Sequence, residues 1–148
     1  MSEWIDVGEF HRKFGLHSSN WEPAELDDEV LKFRIKFLFE ELEELIEGAG
    51  LVRTYTPDGV ELRVTAERDH AQILDALIDL VYVAMGTAHL LGYPWPEGWR
   101  AVQRANMAKV RAASDGSDSK RGSSFDVVKP EGWQPPDIAA ILREWGWK

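Results

Sequence analysis

The sequence predicts an all-α chain with one small β-hairpin set between its helices, and three observations lead there. Between residues 28 and 47, the apolar residues Val30, Leu31, Phe33, Ile35, Phe37, Leu38, Leu42, Leu45 and Ile46 recur mainly at three- and four-residue spacings, the period of an amphipathic helix. From Ile73 to Ala84 the apolar residues cover most of a helix circumference, the pattern of a helix central to a bundle or buried between subunits. Two β-favouring runs, 51–56 and 60–64, flank Pro57-Asp58-Gly59, a turn sequence.

Taken in order, Ile5, Phe10, Phe14 and Leu16 predict a short amphipathic first helix that Gly15 ends. Residues 18–25 form a polar connector containing Pro23. Asp27 or Asp28 is placed to cap the second helix, 28–47, and Gly48 and Gly50 to terminate it. The hairpin, 51–64, is too small to stand alone and must lean on the helices or on another subunit. A third helix is expected over 67–91. Pro94 and Pro96 then interrupt the chain before a fourth helix over 97–113. Residues 114–136 read as a flexible loop carrying the basic residues Lys120, Arg121 and Lys129, rich in Ser, Gly and charge at its start and closed by Pro135-Pro136. A short last helix, 137–145, follows. There is no internal repeat, and 148 residues are the length of one domain.

Composition narrows the function. The chain has no cysteine, which excludes disulfides, thiolate metal sites and cysteine nucleophiles and suits a reducing cytoplasm. Its net charge of −9 argues against a nucleic-acid partner, which would call for a basic patch. The N-terminus lacks the basic and apolar regions of a signal peptide. The longest apolar segment, 76–91, is interrupted by Asp79 and His89 and is expected to be too short and too polar for a membrane.

Two sets of carboxylates carry the chemistry. Glu40, Glu41 and Glu44 stand three and four apart on the second helix, hence on one face, beside Phe37, Leu42 and Leu45. Asp75 and Asp79 are four apart inside the most apolar helix, where ionised carboxylates need a partner or a metal. If the two helices pack side by side, the glutamates can face the aspartates and form an all-oxygen site suited to Mg²⁺, which prefers such ligands and accepts phosphates in its remaining positions. Two ordinary alternatives stand beside this. The glutamate run could be a solvated face, and the aspartates could pair with Arg34, Lys36 or Arg68.

The arrangement Glu40-Glu41-x-x-Glu44 followed by Asp75 and Asp79 resembles the all-α nucleotide pyrophosphohydrolases, and within them the phage and bacterial MazG-like branch, leaning towards phage. Further pieces lie in the same order along most of the chain: Phe10-His11-x-x-Phe14-Gly15-Leu16, Arg34-x-x-Phe37-Leu38, Gly86-Thr87-Ala88, Ala105-Asn106-Met107-x-Lys109, Lys120-Arg121-Gly122 and Lys129-Pro130-x-Gly132-Trp133. The resemblance implies a four-helix core, a divalent cation (Mg²⁺, with Mn²⁺ able to replace it), and hydrolysis of a nucleoside triphosphate to monophosphate and pyrophosphate. It implies metal ligation by Glu40, Glu41, Glu44 and Asp75, with Asp79 a further ligand or a partner of one. Glu40 or Glu41 would orient or deprotonate the attacking water. It also implies a homodimer or homotetramer, in keeping with the apolar third helix. The sequence departs from the fuller pattern at Gln72, where relatives often carry Glu, and in the hairpin, where many have a short loop. Related substrates such as phosphoribosyl-ATP, and a non-catalytic nucleotide-binding module, are the competing readings.

Other residues complete the set of expectations. Asn106 and Lys109, one turn apart on the fourth helix, are placed for sugar or phosphate, and Lys120, Arg121 and Lys129 to close over a triphosphate. Arg34, seven residues before Glu41, is expected to bridge to the carboxylates. His11 and His89 lack metal-site spacing and read as packing or surface residues. Trp95 and Trp99 are expected to cap the bundle, the tryptophans near chain ends to anchor subunit contacts, and Trp21 or Phe14 to stack on a base.

Overall fold

A computed structural model of the chain describes residues 2–16 and 22–148. The connector at 18–25 and Trp21 therefore lie largely or wholly outside the described residues. The chain divides into two compact units, 1–93 and 94–148. Among the described residues the first holds α1 (Ser2–Lys13), α2 (Asp28–Gly48), β1 (Leu51–Thr56), β2 (Gly59–Val64) and α3 (His70–Leu90). The second holds α4 (Trp95–Met107), β3 (Val110–Arg111), β4 (Val127–Val128) and α5 (Ile138–Trp145). The chain is thus mostly helical with a small antiparallel hairpin, as its periodicity predicts.

α2 begins where a side chain can satisfy an orphan amide: Asp27 accepts from the Val30 N–H at 2.9 Å. Asp69 does the same for α3, accepting from Ala71 and Gln72, and Asp137 for α5, accepting from Ala140. Gly48 is the last residue of α2 rather than a residue beyond its end. The reversal falls on Ala49 and Gly50, with Gly50 at φ 68°.

β1 and β2 pair in the register Leu51 with Val64 to Thr56 with Gly59. They lean on α2 in two ways. Arg53 pairs with Glu43, and Leu51, Val60 and Leu62 line a cavity of about 390 Å³ with Leu42, Leu45 and Ile46. The seat is Gly50, whose carbonyl accepts from the Thr65 and Ala66 amides at 2.8 and 3.2 Å. A Cβ on Gly50 would stand 2.3 Å from the Ala66 carbonyl oxygen at a left-handed φ. Gly50→Ala is therefore expected to lose at least about 1–2 kcal/mol from the backbone conformation alone, read as a lower melting temperature by far-UV circular dichroism.

The face that α1 buries differs from the one its large apolar residues predict. Trp4, Val7, Gly8 and His11, spaced i, i+3, i+4, i+7, are buried, while Ile5, Phe10 and Phe14 are exposed. Gly8 lets α1 approach α3, because a Cβ there would lie 2.9 Å from His89 Cε1. The Trp4 indole stacks on His89 with centroids 3.5 Å apart, and His89 Nε2 donates to the Trp4 carbonyl at 2.8 Å. Burial holds the His89 pKa below the usual imidazole range. Both histidines are therefore packing residues.

α3 corrects the expectation that its apolar segment is too short for a membrane: its 21 residues are long and apolar enough to cross one, by length and composition. It packs against both α1 and α2 and carries Asp75 and Asp79, as the core helix of the first unit.

In the second unit α4 ends at Met107, six residues before the predicted end, because the chain turns into β3, which pairs with β4 as a second small hairpin absent from the sequence reading. Trp95 and Trp99 stack on each other at 6.4 Å. The segment between β3 and β4 is hydrogen-bonded around Asp126, which accepts from Ser119 Oγ at 2.8 Å and from Arg121 through both carboxylate oxygens.

Candidate active site

Two anchors fix how α2 lies on α3. At one end Gly48 meets Gln72: a Cβ on the glycine would be 3.1 Å from the Gln72 side chain, and the Asp69 amide donates to the Gly48 carbonyl at 2.8 Å. At the other end the buried Arg34 donates from Nη2 to the Val83 carbonyl (2.8 Å) and from Nε to Thr87 Oγ1 (3.1 Å). The helices are therefore antiparallel. Counting inward from either anchor brings Glu41 level with Asp79 and Glu44 level with the turn of Asp75.

The electrostatics agree with this register. Glu41 is the buried member of the glutamate run, 6% exposed, and its Oε2 is enclosed with no hydrogen-bond partner among the described residues. Burial raises its pKa above the usual carboxylate range, and the charges of Asp79, Glu44, Glu40 and Asp75, in that order, raise it further. All five sequence-selected carboxylates thus belong to one electrostatic neighbourhood. Glu40, Glu44 and Asp75 are exposed and Asp79 is half-buried.

Several expectations need correcting here. The apolar setting of Asp75 and Asp79 predicts that they are the costly carboxylates, but the enclosed one is Glu41. Arg34 does not bridge to the carboxylates; its donors go to backbone and hydroxyl oxygens of α3. Among the described residues the ion pairs are Lys32–Glu29, Arg53–Glu43, Arg100–Glu97 and Arg121–Asp126. Asp75 and Asp79 are thus not neutralised by Arg34, Lys36 or Arg68. No three acidic or histidine side chains among the described residues converge closely enough to enclose a cation as they stand. The donor chemistry nevertheless fits a hard divalent cation: carboxylate oxygens only, one of them enclosed and unsatisfied, with no basic group in contact.

In the second unit Lys109 lies past the end of α4 rather than on it. Its Nζ donates to Asn106 Oδ1 at 2.8 Å. Lys109 and Lys129 both stand over the Trp133 ring, at 5.7 and 4.4 Å from its centroid. The indole is fixed in turn by donating from Nε1 to the Ala105 carbonyl at 2.7 Å. Asn106, Lys109 and Lys129 are therefore gathered around one tryptophan. Lys120 and Arg121 sit in the loop between β3 and β4, where Asp126 engages the Arg121 guanidinium. Trp133 also walls a cavity of about 690 Å³ with Arg104, Gln134 and Pro136 over a floor of Ala101, Ala105 and Ala140. Neither the cavity nor Arg104 is visible in sequence periodicity, because the alanines that open the space carry no pattern.

The sequence profile of the family described as phosphoribosyl-ATP pyrophosphohydrolase matches residues 7–106. That span begins in α1, contains all five carboxylates and ends within α4. Comparison with curated proteins gives no match.

Proposed function

The chain belongs to the phosphoribosyl-ATP pyrophosphohydrolase family, part of the MazG-like all-α superfamily of nucleotide pyrophosphohydrolases, and we propose that it cleaves a ribo- or deoxyribonucleoside triphosphate between the α- and β-phosphates in a Mg²⁺-dependent reaction. The single observation that carries the proposal is Glu41, whose enclosed carboxylate, its Oε2 without a partner among the described residues, lies amid four others. A buried charge of this kind persists when a ligand offsets its cost.

Glu40, Glu41, Glu44, Asp75 and Asp79 would hold the cation. A divalent ion bound there would supply Lewis acidity, and positive charge amid the carboxylates, at the phosphoryl oxygens. Glu40, exposed at the edge of the cluster, accepts the proton of the attacking water or orients it, with Glu41 beside it in the sequence able to share that task. Asn106, Lys109 and Lys129 bind sugar and phosphate, and Lys120 and Arg121 close over them. Arg121 would have to leave Asp126 to do so.

The active form is a homodimer or homotetramer. In support, Phe33 and Phe39 on α2 are 61% and 55% exposed, and Leu74 and Ile78 on α3 are 60% and 54% exposed. A second copy covering these faces would complete the four-helix core. The family match favours phosphoribosyl-ATP as a second candidate substrate, since that molecule is in the family's description.

Pyrophosphate release from a panel of ribo- and deoxynucleoside triphosphates and phosphoribosyl-ATP, with Mg²⁺ and then Mn²⁺, tests the reading. Release of monophosphate and pyrophosphate from a triphosphate is expected. Turnover of phosphoribosyl-ATP alone would shift the substrate to that nucleotide. No turnover of any would leave a nucleotide-binding module, in keeping with Gln72.

A further inference from the structure

We propose that Arg34 is a positioning residue for the carboxylate site, holding α2 in the register on α3 that brings Glu41 opposite Asp79. The assignment rests on the function proposed above only in that the groups it positions are that function's metal-binding carboxylates.

Arg34 is buried, and burial lowers its pKa. A buried guanidinium without a carboxylate partner is costly, so its position needs a reason. The contacts supply one. Nη2 and Nε donate to two acceptors a turn apart on α3, the Val83 carbonyl and the Thr87 hydroxyl. A planar fork engaging two fixed oxygens admits only one placement along the helix, which a flexible ammonium would not impose. The Phe37 ring, 5.7 Å from the guanidinium carbon, covers it from its own helix. Gly86 makes the room: a Cβ there would lie 2.8 Å from Arg34 Nη2 and 2.5 Å from His11 Nε2. The fit is therefore built from α1, α2 and α3 together.

Arg34 precedes Glu41 by two helical turns, about 10 Å of rise, so it acts through the helix rather than as a counter-ion. A slip of one residue would move the glutamates by about 1.5 Å and rotate them by about 100°. That rotation turns Glu41 away from Asp79. The apolar α2 surface does not prevent such a slip by itself, because its large side chains are spread around the helix and several are exposed.

The test uses the full chain, whose lack of cysteine allows two to be introduced at exposed Lys36 and Ala71 and spin-labelled. Labelled protein is diluted into unlabelled so that distances within one chain dominate. In Arg34→Met, the distance between the labels is expected to shift or broaden by about 1.5 Å or more. Mn²⁺ affinity, read by electron paramagnetic resonance, is expected to fall about tenfold or more. A role in stability alone would lower the melting temperature and move neither reading in the folded protein. Thr87→Val, which keeps the charge and removes one acceptor, is expected to move both less and in the same direction, and it decides the matter if Arg34→Met does not fold. An unchanged distance or an unchanged Mn²⁺ affinity in the folded variants overturns the proposal. Failure of the unsubstituted chain to bind Mn²⁺ would overturn the metal site itself, while the distance still reports whether Arg34 sets the register.

Discussion

Replacing Glu41 by glutamine is expected to abolish pyrophosphate release and, without divalent metal, to raise the melting temperature. The two effects share a cause. Glu41 is enclosed, its Oε2 lacks a partner among the described residues, and burial together with Asp79, Glu44, Glu40 and Asp75 raises its pKa. A carboxyl whose folded pKa lies above its unfolded value binds its proton more tightly in the folded state. Stability therefore falls as pH rises from the ordinary carboxylate range through the raised value, and the full penalty stands above it. Glutamine is neutral and carries no such penalty. Its advantage should be present at pH 7.5 and absent at pH 4, in thermal melts with chelator. Added Mg²⁺ should stabilise the parent, because a ligand that binds only the folded state raises its stability, and should leave the variant unmoved. Turnover should drop by about 100-fold or more, the range expected when a group central to the proton or metal chemistry is lost. A variant that loses both activity and stability would mean that Glu41 supports the fold instead.

The second large effect is expected from Gly86→Ala. On helix propensity alone this substitution in mid-α3 should stabilise by about 1 kcal/mol. The surroundings reverse the sign. The new Cβ would meet His11 Nε2 at 2.5 Å and Arg34 Nη2 at 2.8 Å. His11 is 2% exposed and cannot swing out, and Arg34 is held by its two hydrogen bonds to α3. Overpacking of this kind costs about 1–3 kcal/mol, so the net change should be a fall in melting temperature of a few degrees. If the Arg34 clamp is displaced, Mn²⁺ affinity should fall with it. An increase in melting temperature would show that α1 is not seated against Gly86.

Much of the fold is legible in the sequence because its punctuation is strong. Asp27 stands where the second helix needs an acceptor, and Pro57-Asp58-Gly59 marks the hairpin turn; the third helix, expected from residue 67, begins instead at His70 behind the Asp69 cap. The burial of α1 is not legible. Ile5, Phe10 and Phe14 outweigh Trp4, Val7, Gly8 and His11 in any reading by hydropathy, yet the latter face α3, where a glycine and two histidines allow a close approach. The carboxylates are legible as a set through their spacing and the family resemblance. Which of them is enclosed is not, since Glu40, Glu41 and Glu44 all lie within one face of α2. The register selects Glu41, and the register depends on Arg34, whose partners are a backbone carbonyl and a hydroxyl that no charge pattern reveals. The clustering of Asn106, Lys109 and Lys129 depends likewise on Trp133, which in sequence lies 24 residues beyond Lys109.

Divalent-cation binding by these carboxylates is the property on which the proposed chemistry depends. Titration of the metal-free protein with Mn²⁺, followed by electron paramagnetic resonance, tests it beside Glu41→Gln at neutral pH. Saturable binding by the parent, displaced by Mg²⁺ and lost or strongly weakened in the variant, is the result the account predicts. Equal binding by both proteins, or none by the parent, would contradict it.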